Sequence, residues 1–171
     1  MKLKFKNQDF QTDAVNAVVD LFAGQEKTRG TFSVETENQT NLLYNAGVGN
    51  ALVIDDDALE ENMHAVQRRN KLPLIEANWK ASRLPLKLPA RLGPRTTPQF
   101  CIEMETGTGK TYVYTKTIFE LNRKYGFTKF IIVVPSVAIR EGVHKSLEIT
   151  REHFGLQYDN VPCRFFIYQS A

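Results

Sequence analysis

Apolar residues recur at helical spacing over 9–22, where Phe10, Ala14, Val15, Val18, Leu21 and Phe22 fall on one broad face. The spacing predicts an amphipathic helix, with Asp9 placed to cap its start and Gly24 standing where a left-handed residue ends a helix. Periodicity then fades. Positions 25–50 are rich in Thr, Asn, Glu and Gly and predict irregular chain with one short strand near 31–34. Ala51-Leu52-Val53-Ile54 predicts a second short strand, and Asp57 with Glu60 makes a capping-box pattern opening a helix through about Asn70. Five of the seven prolines, at 73, 85, 89, 94 and 98, fall within 72–98. Proline lacks a donor and fixes φ, so this stretch reads as an extended connector. No internal repeat is present.

At Gln99 the pattern changes. Phe100 to Met104 reads as a short apolar strand, followed by a glycine-containing turn and a helix over 110–124. Positions 129–134 are apolar on both faces and end at Pro135, as in a strand covered on both sides. A helix over 137–154 follows, with Ile139, Val143, Leu147 and Phe154 along one face, and then a third strand over 163–168. Strands alternating with helices predict an α/β fold with a parallel sheet flanked by helices.

The turn between the first of these strands and its helix carries the clearest chemistry. Thr106-Gly107-Thr108-Gly109-Lys110-Thr111 has the composition of a Walker A phosphate loop in the strand–turn–helix context that such a loop requires. Gly107 and Gly109 let the backbone curl until successive N–H groups face an anion. The helix N-terminus behind them favours negative charge. Lys110 is placed to reach the β- and γ-phosphates, and Thr111 to offer its hydroxyl to magnesium. The cofactor expected is ATP with Mg2+. Met104 stands where the usual pattern has Gly or Ala.

Bulk composition narrows the class without deciding it. With 42% hydrophobic and 24% charged residues in 171, the chain has the means to bury a core. The formal charge of +3, from 22 basic and 19 acidic residues, is too small to establish nucleic-acid binding. No apolar run approaches membrane-spanning length and no signal-peptide core follows the charged start, so a cytoplasmic protein with no membrane partner is expected. Cys101 and Cys163 lack paired metal-ligand spacing and are expected to be buried reduced thiols. His64, His144 and His153 have no companion ligands either.

Three further groups admit two readings each. Gln11 presents a donor and an acceptor suited to an adenine edge, or is a solvated helix residue, with Gln8 as a chemical competitor. Ser136 and Arg140 follow the second strand, where they contact nucleic-acid phosphate or else serve as a helix cap and a solvated cation. Leu52-Val53-Ile54-Asp55-Asp56 imitates a magnesium-holding Walker B strand, but it precedes the phosphate loop, and the acids fit a helix cap at Asp57 and a charged first turn.

Met104-Glu105-Thr106-Gly107-Thr108-Gly109-Lys110-Thr111-Tyr112-Val113-Tyr114 resembles motif I of superfamily 2 helicases, and more narrowly that of the restriction subunit of type III restriction–modification enzymes. Val133 to Val143, with Pro135, Ser136 and Arg140, looks like motif Ia of that subunit. Phe10-Gln11-Thr12-Asp13-Ala14-Val15 resembles its adenine-reading segment, and 62–70 its insertion before motif I. The resemblance implies a RecA-like lobe, Gln11 as an adenine contact, and Ser136 and Arg140 at a DNA-facing edge. It implies three parts: 1–24 with the glutamine, 25–98 as insertion and connector, and 99–171 as the first part of the ATP-binding lobe. It further implies a parent that couples ATP hydrolysis to translocation on double-stranded DNA and to its cleavage, alongside a DNA methyltransferase subunit. An acidic box and a second, arginine-bearing lobe are absent from the sequence, so the chain is expected to be an N-terminal piece that binds ATP weakly without turning it over. Another superfamily 2 ATPase and a non-catalytic nucleotide-binding module are the competing readings.

Overall fold

The computed structural model describes residues 5–6, 8–27, 50–75, 84–86, 95–97 and 100–168, with 84–86 and 95–97 by backbone alone. Its elements are helix α1 (Asp9–Val19) with a 3-10 turn over Asp20–Phe22, helix α2 (Asp56–Arg69), strands β1 (Leu84–Leu86) and β2 (Arg95–Thr97), and helices α3 (Lys110–Tyr125) and α4 (Val137–Gln157). The strand expected near 31–34 and most of the connector lie outside the described residues. Within that connector, β1 and β2 pair antiparallel, with Leu84 opposite Thr97 and Leu86 opposite Arg95.

The helices pack in a row: α2 against the 3-10 turn, α1 against α3, and α3 against α4. Three apolar clusters fill the gaps. Val15, Val19, Val113, Leu121, Tyr125 and Phe127 join α1 to α3. Leu21, Leu59 and Met63 join the turn to α2. Phe119, Phe154 and Tyr158 join α3 to α4. The buried stripe of α1 runs through Val15 and Val19, so the expected face is rotated, and Phe10 is 49% exposed.

Polar groups set the helix ends. Asp55 caps α2 by accepting from the Ala58 N–H at 2.8 Å, which corrects the expected cap at Asp57 by two residues. Asp57 lies inside the first turn, where the helix dipole favours a carboxylate. Asp9 is likewise the first helical residue of α1 and not its cap; the cap position is Gln8. Gly24, at φ +87°, takes the left-handed conformation expected of it.

Segment 51–54 is not a strand. Side-chain amides hold it instead: Gln25 Nε2 donates to the Ala51 carbonyl at 3.3 Å, and Gln25 Oε1 accepts from the Val53 N–H at 2.8 Å. Asn50 bridges in the same way to Thr128 and Lys129.

The three segments expected to pair as a parallel sheet carry no ladder among the described residues, where β1 and β2 form the only paired strands. Each lies against a helical cluster by one or two side chains: Phe100 on the α2 cluster, Met104 and Phe130 on the α1–α3 cluster, Cys163 on the α3–α4 cluster. Their other face is open, with Ile131 91% and Val133 87% exposed. A strand apolar on both faces is stabilised by burial only where both faces are covered, and within the described chain the helices cover one. The two cysteines are free thiols; Cys163 is half-buried, but Cys101 is exposed, contrary to expectation.

Asp20 ties three elements together, accepting from Arg69 on α2 at 2.7 Å and from Lys124 on α3 at 3.2 Å. Burial raises its carboxyl pKa, but the hydrogen bonds and charges of Arg69 and Lys124 outweigh this and hold it below the usual 3.8. A lowered folded-state pKa means that the stabilisation is complete above 3.8 and fades as the pH falls through the folded value. Acid unfolding followed by circular dichroism should therefore be less steep below that pH in Asp20→Asn. At neutral pH the variant should be destabilised by about 1 kcal/mol, since all three side chains are part-exposed.

Candidate phosphate-binding site

The loop 104–111 is anchored at both ends by packing. Met104 lies against the α1–α3 cluster, which accounts for a large apolar residue where Gly or Ala is usual. Val113, three residues beyond Lys110, is buried in the same cluster. Between these anchors Gly107 and Gly109 take φ of +84° and +85°, a region that side-chain-bearing residues rarely adopt. The loop also bonds to itself: the Glu105 carbonyl accepts from Thr108 Oγ1 at 2.6 Å and from Lys110 Nζ at 2.7 Å.

Gly109 is the N-cap of α3, and among the described residues no side chain caps that helix. The first intrahelical bond runs from the Val113 N–H to the Gly109 carbonyl, so the donors before Val113 have no partner within the helix. By contrast α2 and α4 are capped by Asp55 and Ser136. An uncapped helix start behind a left-handed turn, beside a lysine, fits an anion with several oxygens. Residues 106–111 therefore have the donor set that nucleotide phosphates need. Thr111 lies in the first turn of α3, half-buried.

Gln11 reaches this loop across 97 residues of sequence. Its Nε2 donates to the Thr108 carbonyl at 2.9 Å. The same nitrogen sits so near Gly109 that an ideal Cβ there would lie 2.6 Å from it. Gly109 thus lacks a side chain for two reasons, its left-handed φ and the amide packed over it. Gln8, the competing glutamine, occupies the exposed start of α1.

Ser136 and Arg140 belong to a different element, the start of α4. Ser136 Oγ accepts from the Ile139 N–H at 3.3 Å and caps the helix. Arg140 is paired with its neighbour: Nε and Nη2 reach Glu141 Oε1 at 3.2 and 2.9 Å. Asp55 of the Walker B look-alike is occupied as the cap of α2. Among the described residues no cluster of three or more His, Cys, Asp or Glu is arranged to hold a metal.

Sequence reasoning missed one feature beside the loop. Tyr112, in the first turn of α3, hydrogen-bonds through its hydroxyl to His153 Nε2 of α4 at 3.0 Å. Burial raises the tyrosine pKa. Burial, and then the charge of Lys116, lower that of His153. No sequence signal marks the pair, because the two residues lie 41 apart on different helices.

A family match assigns the chain to the helicase-like superfamily 2 class, which implies use of a nucleotide. The chain belongs to the family described as type III restriction enzyme, res subunit, which matches residues 4–159. It is 31% identical over 156 residues to the Res subunit of the type III restriction-modification enzyme EcoPI of Escherichia phage P1, covering 90% of this chain and 14% of that protein. It is 51% identical over 61 residues to the StyLTI Res subunit of Salmonella typhimurium, covering 34% of this chain and 6% of that one. The EcoP15I Res subunit of Escherichia coli matches at 51% over 59 residues, 33% of this chain and 6% of the relative. The chain thus spans a small part of the length of these relatives. No helix among the described residues is long and apolar enough to cross a membrane.

Proposed function

We propose that residues 106–111 bind ATP with magnesium, and that the protein carrying this domain couples ATP hydrolysis to movement along double-stranded DNA and to its cleavage. The observation that carries the reading is the uncapped start of α3 behind two left-handed glycines, with Lys110 folded across the same loop. The backbone N–H groups of Thr106 to Gly109 cradle the phosphates. Lys110 leaves the Glu105 carbonyl for the β- and γ-phosphates, and Thr111 offers its hydroxyl to the metal. Magnesium, when bound, neutralises charge on the phosphate oxygens.

The relatives are named as subunits of restriction–modification enzymes, which supports DNA as the substrate, a methyltransferase subunit as the partner and a cytoplasmic location. Ser136 and Arg140 contact DNA phosphate from the start of α4; the serine cap engages only the oxygen, and its proton stays available to donate. In the full lobe the segments 100–104, 129–134 and 163–168 form neighbouring parallel strands of a RecA-like sheet, and a helical layer on its second face covers Ile131 and Val133. The three parts 1–24, 25–98 and 99–171 then serve as base reader, insertion and phosphate-binding lobe.

Gln11 reads adenine. With Nε2 held by the Thr108 carbonyl, Oε1 is the atom left to accept from the exocyclic amine of adenine, which guanine replaces with a carbonyl. In competition titrations with magnesium present, ATP should bind on the order of tenfold tighter than GTP. Gln11→Ala should bring the two together. Equal binding of ATP and GTP by the unaltered chain would remove the assignment.

A further inference from the structure

We infer that Tyr112 and His153 form a positioning pair for the phosphate loop, holding the first turn of α3 at a fixed rotation against α4. The inference rests on the reading of 106–111 as the ATP site. Tyr112 directly follows Lys110 and Thr111, so the direction of its side chain sets how that turn is rotated about the helix axis. Its Cβ lies 3.9 Å from where a Gly109 Cβ would stand, which places it against the loop itself. Its hydroxyl is fixed by His153 Nε2 at 3.0 Å.

The pair is enclosed by rings. Phe5 stacks on Tyr112 at 5.8 Å and 18°, and meets His153 at 4.5 Å. Phe154 contacts Tyr112 at 5.2 Å and His153 at 5.1 Å. Stacking alone tolerates sliding of one ring over another, whereas a hydrogen bond between ring edges specifies one register. The first turn of α3 cannot rotate against α4 while that bond holds. Lys110 and Thr111 are therefore presented to the β- and γ-phosphates from a turn that α4 keeps in place. His153 touches no phosphate; it acts through Tyr112.

The test separates positioning from packing by comparing MgATP with AMP, which lacks the β- and γ-phosphates. Calorimetric titration of the 171-residue chain should show MgATP affinity lowered about fivefold in Tyr112→Phe, which keeps the ring and removes the hydroxyl. His153→Leu should give the same loss, the double variant no more than either, and His153→Gln, whose amide oxygen can accept from the hydroxyl, should recover affinity. AMP should bind all variants alike. A loss shared equally by AMP, additive losses in the double variant, or unchanged MgATP binding in Tyr112→Phe would overturn the positioning role. Should the unaltered chain bind no MgATP, both this role and the ATP site fall; if it binds and only the variants disagree, the site stands and the pair falls.

Discussion

Phe154→Ala is expected to destabilise the chain by about 3–5 kcal/mol, the range for deleting a buried aromatic ring. Phe154 is 1% exposed and is the largest of the fully buried side chains. It stacks on Phe119 of α3 at 5.1 Å and 18°, and Tyr112, His153 and Tyr158 surround it at 5.2, 5.1 and 6.3 Å. Alanine would leave a void between α3 and α4 that the four surrounding rings, held in fixed geometry, cannot collapse to fill. Urea unfolding should show the loss as a lower midpoint. Leu156→Ala, two residues further along the same helix at a 74% exposed position, should stay within about 0.5 kcal/mol of the parent. Equal effects at the two sites would mean that α4 does not pack on α3 as described.

The second large effect is expected at the loop glycines, and the two should differ. Gly107 and Gly109 share nearly the same left-handed φ, so alanine at either meets a backbone penalty of about 1–2 kcal/mol. Around Gly107 a Cβ would find nothing within 4 Å, whereas at Gly109 it would fall 2.6 Å from Gln11 Nε2. Gly109→Ala must therefore also expel the Gln11 amide from the Thr108 carbonyl. MgATP affinity should fall about tenfold in Gly107→Ala and on the order of a hundredfold in Gly109→Ala. Adding Gln11→Ala to Gly109→Ala removes the clash and should cause no further loss. Equal losses at the two glycines would show that Gln11 does not pack over Gly109 in solution.

What could be read in the sequence was what local pattern encodes. The left-handed turn at Gly107 and Gly109 was legible because the glycines stand close together before a helix, and helices 110–124 and 137–154 differ from α3 and α4 by one and three residues at their ends. Caps were less legible. Asp55, Asp56 and Asp57 have the same chemistry, and the backbone of 55, extended at ψ 174°, selects the cap. The buried face of α1 was misread by a fraction of a turn because Val18 and Val19 are equally apolar; contact with Val113 and Tyr125 decides in favour of Val19. The contact of Gln11 with the loop could not be derived from spacing, since it spans 97 residues; its amide chemistry marked it alongside Gln8 as a candidate, and the resemblance favoured it. The strand expected over 129–134, apolar on both faces, is extended chain without a ladder among the described residues. An extended apolar segment needs a neighbour about 4.8 Å away to become a strand, and no local signal supplies one.

The central claim, that 106–111 is a nucleotide phosphate site, is tested most directly by calorimetric titration of MgATP into the unaltered chain and into Lys110→Ala. Among the described residues Lys110 Nζ bonds to a backbone carbonyl of its own loop, and it is exposed, so its removal should leave the fold intact, as thermal melting will check. The expected result is saturable MgATP binding by the unaltered chain, and none at the same concentrations in the variant with an unchanged melting temperature. Equal binding by the two folded proteins, or no binding by either, would contradict the claim.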